Sequence, residues 1–383
     1  MGWRLRIEHT TQVTYSGPVL TSFNEARMTP LTLPTQTTLD ARVTAGPGAP
    51  VWTYSDYWGS YVSVFDLPEA HDGLLIRATA MVETEPFPGI PASRERPGWA
   101  ELRDQAPQGR LLEFLLPTPL TTVTAEIQHA AMSGVSGLDP DEAAAAISAR
   151  VREHVTYMPG ATGVRTNAQE AWDQGQGVCQ DMAQLTVALL RVAGLPARYV
   201  SGYLHPDVHA EPGRTAVGQS HAWVEYWAGS WIPLDPTSGA EVGERHVVVA
   251  RGRDYTDVPP LKGLYHGPPD SDMKVTVEVT RLALSRTCAA DSPAQPPQPV
   301  AGLPFMFGQL WVACVADGAG VAAAALPELA ELVLAVVDDA GAACDAAALA
   351  TARLPPSPAP SATAPTAVVM MIRPSLVCNV SAS

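Results

Sequence analysis

Three residues in the middle of the chain, Cys179, His221 and Asp235, have the types and order of a thiol-based acyl-transfer centre. A cysteine nucleophile needs a base that takes its proton, and the base needs a third group that orients it. The other four cysteines lie in the last hundred residues, outside any dense motif (Cys288, Cys314, Cys344, Cys378). The sequence therefore predicts a Cys-His-Asp catalytic triad with Cys179 as the nucleophile.

The residues around Cys179 predict that it begins a helix. Met182, Leu185, Leu189 and Val192 recur at steps of three and four, which is typical of one apolar helix face. At a helix start the unpaired N–H groups and the macrodipole favour a thiolate and are positioned to stabilise an oxyanion. Gly175 and Gly177 allow the backbone a close or strained approach, and Asp181 complements the dipole.

His221 and Asp235 lie on two strand-like runs, HAWVEYW (221–227) and WIPLDP (231–236), that a short Ala-Gly-Ser connection joins. If Trp227 lies opposite Trp231, the register places Trp223 opposite Asp235 and His221 diagonal to it on the same face. Diagonal neighbours are about 7–8 Å apart at Cα, a gap that an imidazole and a carboxylate can bridge. A slip of one residue would separate them, so the triad predicts this register.

Two other sets of residues have an alternative chemistry. A cluster on the loop after RYVSGYL has metal-ligand types (His205, Asp207, His209, Glu211). Pro206 and Pro212 disfavour a helical His-x-x-x-His site, so we expect a solvated loop and no metal. The aromatic residues Trp223, Trp227 and Trp231 either line a substrate groove or, as we favour, pack in the core.

The elements that position the triad predict an α+β fold. Residues 1–90 alternate like the strands of a β-sandwich-like domain, and 91–118 is a connection rich in Pro and Arg. Residues 119–285 form the predicted α+β catalytic domain, in which Asp139 and Pro140 begin a helix that ends before Pro159. Residues 286–383 form an Ala- and Pro-rich tail, which we expect to be poorly ordered.

Composition restricts the partners. The net charge is −15 and Lys and Arg form no cluster, which disfavours nucleic-acid and anionic-membrane partners. The N-terminus has no apolar signal segment, and the most apolar later stretch carries Glu and Pro, so we expect a cytoplasmic protein with no membrane span. The five cysteines show no CxxC, which disfavours a disulfide framework and structural zinc. We expect no cofactor.

The motifs GQGVCQDMAQL, GLPARYVSGYL, SHAWVEYW and WIPLDPT resemble, in order and spacing, the bacterial transglutaminase-like superfamily. RGRDYTDVPPLKGLY (251–265) is similar to the segment that follows this core, and residues 3–85 resemble the N-terminal region of such proteins. The resemblance implies a papain-like core with Cys179 as nucleophile, His221 as general base and acid, and Asp235 as its orienter. Met182 and Gln184 differ from the Phe and His of many members, which implies altered packing or pocket shape and no loss of catalysis.

The implied reaction is acyl transfer on an amide or peptide substrate through a thioester on Cys179. We expect hydrolysis by water, an amidase or peptidase activity, because a protein cross-linking enzyme in the cytoplasm would be hazardous to its host. One alternative is a protein-glutamine cross-linking transglutaminase, which uses the same three residues. Another is a peptide-binding or scaffold module without catalysis, since superfamily folds host inert members. The sequence leaves the oligomeric state open.

Overall fold

Alternating burial along the first strand sets the architecture of the N-terminal part. In the computed structural model, which describes residues 2–46, 48–89, 96–106, 108–268, 270–283 and 367–371, every second side chain of the first strand is buried from Trp3 to Tyr15. This period of two is that of a strand with one face on the core. Six strands form this part: β1 (Trp3–Val19), β2 (Thr21–Ala26), β3 (Gln36–Gly46), β4 (Trp52–Ser55), β5 (Tyr61–Leu67) and β6 (His71–Thr84).

The helices follow these strands. They are α1 (Trp99–Gln105), α2 (Ala125–Ser133), α3 (Pro140–His154), α4 (Ala168–Gln174) and α5 (Cys179–Val192), with short 3-10 turns at Gly109–Phe114 and Tyr255–Asp257. Helix α3 begins as predicted, because the Asp139 carboxylate accepts the backbone N–H groups of Asp141 and Glu142. Helix α5 begins at Cys179, which confirms the predicted helix start.

The later strands lie between and after the helices. They are β7 (Thr156–Tyr157), β8 (Gln176–Gly177), β9 (Ala197–Leu204), β10 (Thr215–Trp227), β11 (Trp231–Leu234), β12 (His246–Gly252), β13 (Leu261–His266), β14 (Ser271–Leu282) and β15 (Ala367–Met371). The strands β7 and β8 form a small parallel pair. All described residues belong to one compact unit.

Two antiparallel sheets contain nearly all of these strands. The larger sheet has the order β12-β9-β10-β14-β1-β6-β3, with β11 paired to β10, and the second has the order β15-β13-β2-β5-β4. Apolar side chains of both sheets, including Val13, Phe65, Ile76 and Tyr265, form one buried cluster. The sheets therefore pack in a sandwich-like manner, as sheets with one apolar face do.

Strand β10 connects the two parts of the larger sheet, β12 and β9 on one side and β14, β1, β6 and β3 on the other. Its first residues, Thr215 to Gly218, pair with β14, and the following residues from Gln219 pair with β9. Since β14 pairs with β1, strands of the predicted segments 1–90 and 119–285 share one sheet. The boundaries of those segments stay a prediction.

Helix α5 packs on β9 and β10 and is covered by α2, α3 and α4. Every residue from Cys179 to Arg191 is buried. The predicted apolar stripe is therefore only one of its buried faces. The polar faces find partners inside the protein: the Arg191 guanidinium donates to the carbonyl oxygens of Phe114, Ala197 and Arg253. The helix start is thus fixed by packing on all sides.

These observations confirm the α+β class, because helices cover one face of an antiparallel sheet. None of the helices in the described ranges has the length and apolarity needed to cross a bilayer. The predicted tail, residues 286–383, lies outside the described residues except for β15, which pairs with β13.

Candidate active site

Two glycines and an aspartate shape the start of α5. Gly175 ends α4 with φ +60°, a conformation that glycine adopts without strain. At Gly177 a Cβ atom would lie 2.8 Å from the Cβ of Asp181, so only glycine permits this close approach. The Asp181 carboxylate accepts the Val178 N–H at 2.8 Å and the Thr162 hydroxyl at 2.5 Å. The chain entering the helix is therefore held rigidly in front of Cys179.

Cys179 is the first residue of α5 and is completely buried. The first N–H groups of a helix have no partner within it, so the Cys179 N–H is available next to its own sulfur. The Cys179 sulfur lies near enough to the His221 ring to contribute to the raised pKa of His221. A thiol, an imidazole and a backbone N–H without a partner inside the helix thus meet at one helix end.

The hairpin of β10 and β11 has the predicted register. Trp227 lies opposite Trp231, and Val224 lies opposite Leu234. Asp235 follows directly, and its Oδ2 lies 2.9 Å from Nε2 of His221. Because Nε2 is engaged by the carboxylate, Nδ1 is the ring nitrogen that remains for the sulfur. The structure therefore brings Cys179, His221 and Asp235 together.

Asp235 is surrounded by donors. Its Oδ1 accepts the backbone N–H groups of Thr237 at 2.9 Å and Ser238 at 3.3 Å. Its Oδ2 also accepts the Ser238 hydroxyl at 2.7 Å. Hydrogen bonds of this kind stabilise a carboxylate that is closed to solvent, and they fix its orientation toward His221.

The pair is charged although it is buried. Burial alone would lower the pKa of His221, but the Asp235 carboxylate and the Cys179 sulfur outweigh it and raise this pKa above its ordinary value. Burial would raise the pKa of Asp235, but His221 and His246 hold it well below its ordinary range. An imidazolium therefore faces a carboxylate at neutral pH.

His246 is a fourth member of the site that the sequence analysis missed. It is buried, begins β12, and its Nε2 lies 3.5 Å from Oδ2 of Asp235. The Gly243 N–H donates to its Nδ1, which places the ring proton on Nε2, toward Asp235. Burial lowers the pKa of His246, so the ring is neutral. A signal existed in the sequence, because His246 opens a strand run, HVVVA, as His221 does.

The ligand atoms of His221, Asp235 and His246 lie within 4.8 Å of one another, a spacing compatible with a metal ion. A metal on Nε2 of His246 would require the proton on Nδ1, since ligating histidines donate their other N–H to an acceptor. Nδ1 instead faces the Gly243 N–H, which is a donor. The geometry favours a hydrogen-bonded cluster over a metal centre.

The other residues with alternative chemistry lie outside the triad. The loop after β9 has exposed His209 and Glu211 side chains, and His205 hydrogen-bonds the backbone of Asp207. Trp223 is fully buried, and its ring stacks on His221 with centroids 6.0 Å apart. Gln184, one of the two unusual positions, donates to the Thr166 carbonyl and so joins α5 to the preceding loop.

Comparison with known proteins agrees with this geometry. Residues 129–236 match the transglutaminase-like superfamily, and residues 5–83 match the bacterial transglutaminase-like N-terminal region. An uncharacterized protein of Mycobacterium leprae is 42% identical over 281 residues, which cover 73% of this chain and 100% of the relative. The chain belongs to the transglutaminase-like superfamily.

Two further similarities concern activity and fold. A protein-glutamine gamma-glutamyltransferase of Pseudomonas aeruginosa is 37% identical over 86 residues, which cover 21% of this chain and 13% of that protein. The crystal structure of a candidate cysteine protease from Cytophaga hutchinsonii, at 21% identity, covers 75% of this chain and 93% of its own, with a TM-score of 0.58. The second similarity shows that the transglutaminase-like fold is shared.

The His221–Asp235 pair predicts a pH-dependent stability. Because the pKa of His221 is raised, the contribution of the pair is complete below about pH 6.5 and is lost as the pH rises through the folded-state pKa. Because the pKa of Asp235 is depressed, its contribution is complete above about pH 3.9 and is lost as the pH falls through the folded-state value. We expect Asp235→Asn to lower the free energy of unfolding by about 3 kcal/mol near pH 6.

Chemical denaturation at several pH values measures this difference. It should shrink above pH 6.5 and below pH 3.9. The control is Asp254→Asn, a buried aspartate that accepts from Thr256. For Asp254→Asn, the difference in the free energy of unfolding from the wild type should not shrink above pH 6.5. If the difference for Asp235→Asn is constant from pH 5 to pH 10, the His221–Asp235 pair is not charged.

His246 predicts a second measurable effect. His246 Nε2 lies 3.5 Å from Oδ2 of Asp235 and faces its charge without forming a regular hydrogen bond, so His246→Ala should slow iodoacetamide labelling of Cys179 about tenfold. Peptide mapping of the labelled protein measures the rate. His246→Gln, which keeps an N–H donor, should restore much of it.

The matched control is His205→Ala. His205 is as buried as His246, but its ring packs against Trp3 and not against Asp235. If His205→Ala and His246→Ala slow labelling equally, or if His246→Gln gives no recovery, His246 does not act through Asp235.

Proposed function

We propose that this protein is a thiol-dependent acyl-transfer enzyme that acts on an amide or peptide bond and passes the acyl group to water. The observation that carries the proposal is the buried contact series from Cys179 to His221 to Asp235, with 2.9 Å between His221 Nε2 and Asp235 Oδ2. A scaffold module without catalysis has no need of a charged pair that is closed to solvent beside a thiol.

The first half of the reaction forms a thioester. The Cys179 thiolate attacks the substrate carbonyl carbon, and the Cys179 N–H at the start of α5 stabilises the negative oxygen. The His221 imidazolium gives its proton to the leaving nitrogen, the carbon–nitrogen bond breaks, and an amine or ammonia departs. Asp235 keeps the ring oriented and stabilises its charged form.

The second half releases the acyl group. Neutral His221 takes a proton from water, whose oxygen attacks the thioester carbon, and the carbon–sulfur bond breaks. The products are a carboxylic acid and the free thiolate facing the imidazolium. We favour water as acceptor because an enzyme that cross-links proteins in the cytoplasm would be hazardous to its host.

A second candidate is cross-linking of protein glutamine to amines. Its support is the similarity of 86 residues to the protein-glutamine gamma-glutamyltransferase of Pseudomonas aeruginosa. The same thioester serves both reactions, so the acceptor alone separates them. We propose a peptide or protein as substrate in either case, and a cytoplasmic setting.

Acetylation by p-nitrophenyl acetate tests the proposal without knowledge of the natural substrate. We expect a burst of nitrophenolate, an acetyl group on Cys179 in the mapped peptide, and acetate as the product even with propylamine present. Cys179→Ser should remove the burst and the acetylated peptide. His221→Asn should slow acetylation about a hundredfold or more, the usual contribution of a general base.

Each other outcome is decisive. If N-propylacetamide replaces acetate as propylamine is added, the cross-linking candidate is correct and hydrolysis is wrong. If Cys179 remains free of acetyl groups while the protein is folded by circular dichroism, the catalytic proposal fails and a binding module is the better account.

A further inference from the structure

Each of the two sheets ends in strands that have one neighbour, and β4 is an edge strand of this kind in the second sheet. An edge strand leaves backbone N–H and C=O groups without partners, so it can pair with a strand of another chain. Proteins prevent such pairing with charged side chains, prolines, bulges or a covering segment. The protection of each edge therefore indicates where a partner strand can bind.

The larger sheet protects the strands at both ends of its strand order. At β12, the Gln36 side chain accepts the Val248 N–H at 2.7 Å and donates to the Val248 carbonyl at 2.9 Å, as a neighbouring strand would. At β3, the register shifts between Thr38 and Asp40, and the exposed Asp40 and Arg42 place charges on the strand. These features hinder pairing with a further strand.

Strand β4 has a different character. Its sequence, Trp-Thr-Tyr-Ser, contains no charge and no proline, and its pairing with β5 continues without a shift from Trp52 to Ser55. All four residues are exposed. A cavity of about 370 Å³ lies between β4 and β3 beside Thr53, so this side of the strand is accessible as well. An exposed edge of β-forming residues without charge is one that pairs readily.

The two aromatic residues of β4 lie on the outer face of the second sheet. Trp52 lies opposite Val64 and Tyr54 lies opposite Val62, while Phe65, which alternates with these valines, is buried between the sheets. Since successive side chains of a strand point to opposite faces, both aromatic rings point away from the core. Trp52 is 61% exposed and Tyr54 is 46% exposed. Large apolar groups exposed side by side mark an interaction surface.

We propose that β4 pairs with β4 of a second copy of this chain, antiparallel and around a twofold axis at Thr53. The two Thr53 residues then face each other across the axis. Trp52 of each copy lies opposite Tyr54 of the other, as a twofold contact requires. Each aromatic ring gains an aromatic neighbour on the same face, a pairing that stabilises antiparallel strands.

Charge and symmetry favour a second copy as the partner. Each chain carries a net charge of −15, so repulsion opposes most approaches of two copies. Strand β4 carries no charge, and Asp56, which follows it, is paired with Arg27 at 3.1 Å. Trp52 and Tyr54 stand symmetrically about Thr53, so the strand supplies the complement that each aromatic ring needs.

The proposed contact leaves the triad of each copy complete. Cys179 begins α5, and His221 lies on β10 of the larger sheet, whereas β4 belongs to the second sheet. The proposal requires no step at Cys179, so it stands or falls independently of acyl transfer.

Sedimentation velocity of the full chain, of mass 40.5 kDa, tests the association. A four-residue strand forms a small interface, so we expect a reversible dimer with a Kd on the order of 10 µM. Thr53→Lys places two like charges opposite each other at the axis and should weaken association roughly tenfold. The control is Val217→Lys, at a residue of β10 that is 76% exposed, which should associate like the wild type. Circular dichroism shows that each variant is folded.

An introduced cysteine tests the register. In the proposed pairing the Cα atoms of the two Thr53 residues lie about 4.5–5.5 Å apart, within the range of a disulfide. The Cα atoms of the two Ser55 residues lie about 14 Å apart, well beyond that range. Mild oxidation should therefore link Thr53→Cys into a covalent dimer and leave Ser55→Cys unlinked. Mass spectrometry of the linked peptide distinguishes this bond from links through the five native cysteines.

Three results would overturn the proposal. The wild-type chain could sediment as a monomer at concentrations well above the expected Kd. Thr53→Lys could associate as tightly as the wild type, which would place the contact on another surface. Thr53→Cys could give no more linked dimer than Ser55→Cys, which would mean that β4 binds a different partner or pairs in a different register. None of these results bears on acetylation of Cys179.

Discussion

The ion pair of His221 and Asp235 is closed to solvent, and most of the site can be understood from that one condition. A buried carboxylate is stable only when donors surround it, and Asp235 has the ring of His221, the loop at Thr237 and Ser238, and the Nε2–H of His246 beside it. His221 lies on β10, Thr237 and Ser238 lie in the turn that follows β11, and His246 begins β12. The strands must therefore be assembled before the imidazolium can exist, and the charged state of the base is a property of the folded sheet.

The position of the Cys179 thiol depends on a second set of contacts. This set meets the contacts of Asp235 at His221. Asp181, Gly177 and Thr162 fix the backbone in front of Cys179, while Arg191 ties the far end of α5 to carbonyl groups of three separate segments. The pKa of Arg191 is lowered to about 10, mainly by burial, so it stays charged at neutral pH. The helix can neither slide nor tilt without breaking these bonds, so the position of Cys179 at its start is fixed.

Local patterns predicted the parts of this site that depend on neighbouring residues. The apolar spacing after Cys179 gave the helix, and the three-residue connection gave a register in which His221 and Asp235 share a face. The strand run at His246 indicates only that a strand begins there; its place beside Asp235 could not be predicted in this way, because β9, β10 and β12 meet through pairing across long stretches of chain. The full burial of α5 was missed for a similar reason, since an apolar stripe reports one packing face and not the helices that cover the others. The predicted domain boundaries and cellular compartment stay predictions.

The central claim is that His221 activates Cys179 as a nucleophile, and the pH dependence of iodoacetamide labelling tests it most directly. Ordinary cysteines are mostly protonated below about pH 8.5 and react slowly there. We expect Cys179 to be labelled well ahead of Cys288, Cys314, Cys344 and Cys378 from pH 6 upward, and His221→Asn to abolish this lead. If Cys179 is labelled no faster than the other four cysteines at pH 6, or if His221→Asn leaves its rate unchanged, the account is wrong.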